Sequence, residues 1–254
     1  MTLFETIIAL AYLLAASLFI LGIKYMSSPA TARKGNLLGS IGMFIAIVVT
    51  LLDKQVINYT WILGGIVIGS LIGSISARKV KMTDMPQMVG IFNGFGGGAS
   101  ALVAVAEFFR LANQTQGLLQ MDTSISIALS VIIGGVTLTG SFIAFGKLQG
   151  FVSGSPVQFP LQKIVNALVI LGAVALSVYL IGVEANISLF YVVIGLSLLY
   201  GILFVIPIGG ADMPVVISLL NSFSGLAACA TGFVVGNNIL IIAGSLVGSA
   251  GRLR

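Results

Sequence analysis

Long apolar runs separated by short polar breaks dominate the pattern of the chain. About nine such runs can be read, at roughly 4–26, 35–52, 58–76, 85–109, 123–146, 162–182, 186–206, 213–235 and 237–251. A helix needs about 20 mainly apolar residues to cross the hydrocarbon core. A membrane β-barrel would instead alternate polar and apolar positions over segments of about ten residues. These runs are continuous and rich in Leu, Ile, Val and Gly, so the pattern predicts an all-α polytopic membrane protein of about nine transmembrane helices. The first run has no basic stretch before Phe4 and is too long for a cleavable signal, so it reads as a span.

Composition narrows the class. The 254 residues are 58% hydrophobic and 7% charged, with mean hydropathy +1.15. Soluble domains carry about 25% charged residues, so a soluble enzyme domain and a nucleic-acid binder are both excluded. The net charge of +5 comes from twelve scattered Lys and Arg, not from a patch. One cysteine, Cys229, and no histidine leave no CxxC or histidine-based metal site and no disulfide framework.

The basic residues set an orientation. Lys24, Arg33, Lys34, Arg78, Lys79, Lys81, Lys147, Lys163, Arg252 and Arg254 all fall on one side of a nine-span chain. Only Lys54 and Arg110 fall on the other. The expected arrangement is an external N-terminus and a cytoplasmic C-terminus.

The chain also resembles itself at an offset of 128 residues. Asp84-Met85-Pro86, Asn93, Phe95, Gly97 and Ala99 recur as Asp212-Met213-Pro214, Asn221, Phe223, Gly225 and Ala227. Four spans separate the copies, so the two helices run the same way. That is a parallel repeat about an axis along the membrane normal. Each Asp can cap a helix start, with Pro in the first turn. Each Asn lies nine residues further on, about 13 Å deeper and near the midplane. An amide at that depth must be hydrogen-bonded and faces protein or water. Interhelical glue and a shared polar path are both compatible with it.

Other motifs read more simply. Gly90/Gly94/Gly98, Gly65/Gly69/Gly73 and Gly244/Gly248 are close-packing stripes. Gly94–Ala99 matches G-x-G-x-x-A, but it lies mid-span, after no strand, and lacks a following acidic residue, so it is not a dinucleotide fingerprint. Thr137, Thr139 and Ser141 could line a water path or bond back to their own helix. Glu107 and Arg110 pair at i, i+3. Asp53-Lys54 and Asn237-Asn238 read as turns.

Three stretches carry a family resemblance: Met85–Val89 with Asn93, Thr139–Leu148, and above all GADMPVVISLLNSFSG from Gly210 to Gly225, with Gly244–Ser249 following. They resemble the β subunit of the proton-translocating NAD(P) transhydrogenase, across essentially the whole chain. The resemblance implies that residues 1–254 form the β part of the membrane proton-channel domain, domain II. Protons moving inward would drive hydride transfer from NADH to NADP⁺. Cofactors would be NAD(H) and NADP(H) in the complete complex, with none bound by this chain. Partners would be an α subunit with membrane helices and an NAD-binding domain, an NADP-binding domain III, and a second αβ unit in a homodimer. Proton-path residues would be Asn93, Asn221 and Ser141, with Asp212 and Asp84 at the cytoplasmic mouth. Many members place a histidine where Asn93 stands, so a partner α helix is expected to supply one. A secondary transporter with two parallel repeats is the alternative reading, and a plain membrane scaffold fits the paired Asn residues less well.

The orientation is open to direct test. With Cys229 replaced by Ser, Ser28→Cys and Ser76→Cys should react with an impermeant maleimide only from the cytoplasmic side. Asn113→Cys should react only from outside. Cytoplasmic labelling of Asn113→Cys breaks the nine-span topology.

Overall fold

The structure, a computed structural model, describes residues 3–53, 59–114, 120–183 and 186–250. Among the described residues there are nine α-helices and no strand. Eight are long and apolar enough to cross a membrane. The ninth, α9 (Asn238–Ala250), is 13 residues long, or about 20 Å. The protein is a multi-pass membrane protein whose chain divides into two compact units, Met1–Val80 and Lys81–Arg254.

The first unit holds α1 (Leu3–Met26), α2 (Ala32–Asp53) and α3 (Thr60–Lys79). Helices α1 and α2 form an antiparallel hairpin. Small residues make it close: a Cβ on Gly35 would strike the Gly22 carbonyl at 2.6 Å, and one on Gly42 would meet the Ala15 carbonyl at 3.2 Å. Tyr12 donates to Thr50 Oγ1 at 3.1 Å across the pair. Helix α3 buries none of its residues, and its glycine stripe, Gly65, Gly69 and Gly73, faces open space. The Asp53-Lys54 turn falls outside the described residues, save for the backbone of Asp53 at the end of α2.

The second unit is built around α5 (Met121–Leu148). Its neighbours are α4 (Met85–Gln114), α7 (Ile187–Val205) and α8 (Met213–Val235), with α6 (Gln162–Gly182) on α7 and α9 on α8. Glycines occur on several faces of α5 because a neighbour crowds each one. Gly134 meets Gly97 and Ala101 of α4, Gly135 meets Ser197 of α7, and Gly140 meets Val205 and Leu220. Gly90, Gly94 and Gly98 also turn inward, onto Ile217, Ser141 and Leu138. That stripe is therefore occupied within the chain and not left for a partner. Gly225 packs on Gly244 and Gly248 with no room for a side chain.

The repeat is visible in the backbone. A short 3-10 turn at Met82–Asp84 leads into α4, and its counterpart at Gly210–Asp212 leads into α8. Both turns sit 128 residues apart, as the sequence repeat does. The two helices lie side by side and parallel, because Gly90 meets Ile217, Asn93 meets Ser224 and Ser100 meets Thr231 at near-constant separation. Asp212 occupies the N-cap position of α8, with Pro in the first turn, but makes no side-chain capping bond. Side-chain caps occur instead at Asn186, which accepts from the Leu189 N–H at 3.2 Å, and at Asn237, which accepts from the Leu240 N–H at 3.1 Å. Gly236 closes α8 in the left-handed region, at φ 62°.

Two glycines one residue apart separate packing from propensity. Gly97→Ala would drive its methyl into Thr137 and the Gly134 carbonyl, whereas a Cβ on Gly96 meets nothing within 4 Å. Thermal unfolding in detergent should show Gly97→Ala destabilised by about 1–3 kcal/mol. Gly96→Ala should be neutral or stabilised by up to about 1 kcal/mol, since it removes a mid-helix glycine.

Candidate functional site

Asn93 lies eight residues into α4 and is 8% exposed. Its amide is held from two other helices. Asn93 Nδ2 donates to Ser141 Oγ on α5 at 2.9 Å. Ser224 Oγ on α8 donates to Asn93 Oδ1 at 2.8 Å, with the Asn93 carbonyl at 3.2 Å. Ser141 is fully buried. The cluster forms because Gly94 lets the α5 backbone close in, with Ser141 Cβ 3.2 Å from where a Gly94 side chain would begin. An Asn amide carries two N–H donors and two acceptor lone pairs. These contacts use one of each, leaving an N–H and a lone pair for a water or another side chain. The arrangement can orient a proton carrier but cannot take up a proton as a base.

The other candidates stand elsewhere. The parallel register brings Asn221 to the depth of Asn93, but its side chain is exposed on α8, beside Ser218 and away from the cluster. Asp84 is half-buried and accepts from Thr83 Oγ1 at 3.3 Å. Asp212 is exposed at the same end of the unit. Thr137 bonds back to the Ile133 carbonyl at 2.7 Å. Thr139 reaches across to the Leu198 carbonyl of α7, also at 2.7 Å. Glu107 and Arg110 pair as expected, with Nε donating to Oε2 at 2.8 Å. Gly94–Ala99 is continuous helix whose Gly94, Gly97 and Gly98 pack on α5, a geometry that does not fit a dinucleotide phosphate. Among the described residues no cluster of His, Cys, Asp or Glu could hold a metal.

A family model for the NAD(P) transhydrogenase beta subunit matches residues 8–253. The chain belongs to this family. A NAD(P) transhydrogenase subunit beta of Rhodospirillum rubrum is 45% identical over 246 residues, covering 96% of this chain and 53% of that protein. The same subunit from a designated strain of that organism gives the same figures. The chain thus spans about half the length of the curated relatives it matches.

Two further residues join the candidate set from the structure alone. Ser224 is one; its signal was indirect, one helical turn beyond Asn221 in the repeated unit. Lys147 is the other. In the sequence it looks like a solvated loop cation at the end of a span. In the structure it is 5% exposed, and its ammonium donates to three carbonyls: Ile206 at 2.7 Å, Ile208 at 2.8 Å and Ser155 at 3.2 Å. It thereby ties the end of α5 to the end of α7 and to the 149–161 loop. Two backbone bonds reinforce the tie: Gly210 N–H to the Gly154 carbonyl at 2.8 Å, and Val157 N–H to the Ile206 carbonyl at 3.2 Å. The turn carrying Asp212 is held in place by this knot.

Removing the ammonium takes a donor from three carbonyls. Ile206 keeps the Val157 N–H and Ser155 is exposed, so the main cost is the half-buried Ile208 carbonyl, about 1–3 kcal/mol for a buried group left unmade. Lys147→Met should speed amide hydrogen exchange at Val157 and Gly210 about tenfold or more in the detergent-solubilised protein. Exchange in the middle of α5 should not change. Unchanged exchange at Val157 and Gly210 would remove Lys147 from its anchoring role.

Proposed function

We propose that this chain is the β part of the proton-channel domain of a proton-translocating NAD(P) transhydrogenase. In this reading protons crossing the membrane drive hydride transfer from NADH to NADP⁺ in the complete complex. The observation that carries it is the Asn93–Ser141–Ser224 cluster, buried where three helices of a transhydrogenase beta-subunit family member meet. Asn93 and Ser141 order the proton carrier there. Asp84 and Asp212 stand at the cytoplasmic mouth, where the NADP-binding domain III would dock. The α subunit brings membrane helices and the NAD-binding domain, and two αβ units form the dimer. The hydride chemistry belongs to the nucleotides those domains hold; this chain's share is to position and pass protons.

Exposed polar atoms support a partner on α8. Ser218 and Asn221 are both exposed on the first half of that helix. An amide facing lipid at the depth of Asn221 would lack hydrogen bonds, which costs several kcal/mol. An α-subunit helix covering this face would satisfy Asn221 and complete the path. The same partner is the expected source of a titrating histidine near Asn93, since this chain has none.

Asn93→Ala and Asn221→Ala in the assembled complex test the reading. Each should lower proton-coupled hydride transfer at least tenfold while the α subunit still co-purifies. Asn93→His should regain part of the coupling lost when the partner's midplane histidine is removed. Full coupled activity in both Ala variants would leave the two amides as packing residues.

A further inference from the structure

A second buried polar station lies on the seam that holds Asn93. On α4 and α8 it is seven residues further along each helix, from Asn93 to Ser100 and from Ser224 to Thr231. Seven residues are about two turns, so the same face is presented about 10 Å away. On the antiparallel α5 it lies eleven residues back, from Ser141 to Ser130, about three turns. Ser130 is fully buried and Thr231 is 3% exposed. Their hydroxyl oxygens are 2.6 Å apart. Both also lie close to the same two carbonyls. Ser130 Oγ is 3.1 Å from the Ser100 oxygen and 3.3 Å from that of Ala227. Thr231 Oγ1 is 3.2 Å and 2.9 Å from them. Thr137, fully buried, sits between the two stations on the α5 side.

This symmetry has a chemical consequence. Each hydroxyl has one donor and two acceptor lone pairs. Ser130 can donate to Thr231 while Thr231 donates to a carbonyl, or the reverse. The two arrangements use the same atoms in nearly the same places and differ only in direction. A pair serving purely as a clip needs one of them; a proton wire needs both.

We propose that Ser130 and Thr231 are a proton-relay pair on the leg of the path running from Asn93 toward the end of the unit where α4 joins α5. The proposal rests on the proton-channel reading above. Water is the co-reactant on either side. A hydronium gives a proton to the lone pair of one hydroxyl as that hydroxyl's own proton passes to its neighbour. The neighbour in turn releases its proton to the next water. Every O–H bond broken is matched by one formed, neither hydroxyl keeps a charge, and both rotate back before the next transfer.

The test uses the complete complex in proteoliposomes, reading proton translocation during hydride transfer beside the thermal unfolding midpoint. Thr231→Val keeps the shape and removes the hydroxyl; Thr231→Ser keeps the hydroxyl and removes the methyl. Thr231→Val and Ser130→Ala should each cut translocation at least fivefold, and Thr231→Ser should stay within twofold of the parent. Parent-level translocation in Thr231→Val overturns the relay. So does equal loss in Thr231→Ser and Thr231→Val, because the hydroxyl is then not the group that matters. Asn93→Ala run in parallel separates the two ideas. If it loses translocation while Ser130→Ala and Thr231→Val do not, only the relay falls. If all three translocate at the parent rate, the proton-channel reading falls as well.

Discussion

At Gly97 and Gly134 the backbones of α4 and α5 come so near that a methyl on Gly134 would lie 2.6 Å from the Gly97 carbonyl. In lipid there is no hydrophobic drive to bring helices together, so association depends on close van der Waals packing and interhelical hydrogen bonds. Glycine supplies the first and so permits the second. Short side chains such as Ser and Asn can bridge helices only where the backbones nearly touch. Ser141 reaches Asn93 beside Gly94, and Ser130 reaches the Ser100 carbonyl one turn from Gly134. The polar seam is a product of the glycine contacts, and a bulky residue at either glycine would dismantle both.

The helix inventory was legible because hydropathy reports directly on the one constraint every span obeys, internal satisfaction of its backbone. The repeat was legible too, as paired helix starts, because Asp-Met-Pro marks a helix start wherever it falls; the 3-10 turns that precede them were not. Which way a side chain points was less accessible. The equal spacing of Asn93 and Asn221 from their Asp residues gives depth, not azimuth. Asn93 faces α5 and α8, while its repeat counterpart is exposed. A long central α5 packs on α4, whereas the short α9 hairpin packs on α8, so equivalent positions meet different surroundings. Ser224 takes the inward place on α8 because three residues fall short of a full turn, which rotates it about 60° from Asn221 toward Asn93.

Lys147 shows the same limit for charge. Counting Lys and Arg treats every cation as solvated, and for topology that suffices. It cannot reveal that one ammonium has turned inward to collect three carbonyls at the ends of α7 and the 149–161 loop. A helix C-terminus offers unsatisfied carbonyls and the negative end of its dipole, so a cation there is favourable. The consequence is mechanical. The turn that presents Asp212 is fastened to the helix that carries Ser141, six residues and under two turns from Lys147.

The chemistry of the seam limits what it can do alone. Its polar side chains are an amide and hydroxyls, which orient and pass protons but do not store them at neutral pH. Among the described residues the carboxylates fall near span ends: Glu5, Asp53, Asp84, Glu107, Asp122 and Asp212. A path without a titrating group near its middle has no internal means of stopping between states. In the proposed proton-channel reading, gating by redox state then has to enter from outside the seam, through a partner's ionisable side chain at Asn93 or through movement of the Asp212 turn. Asn93 suits the first route, with one donor and one acceptor still free. The Lys147 knot suits the second. The two converge on α5, the helix that its glycine contacts with α4, α7 and α8 already hold in place.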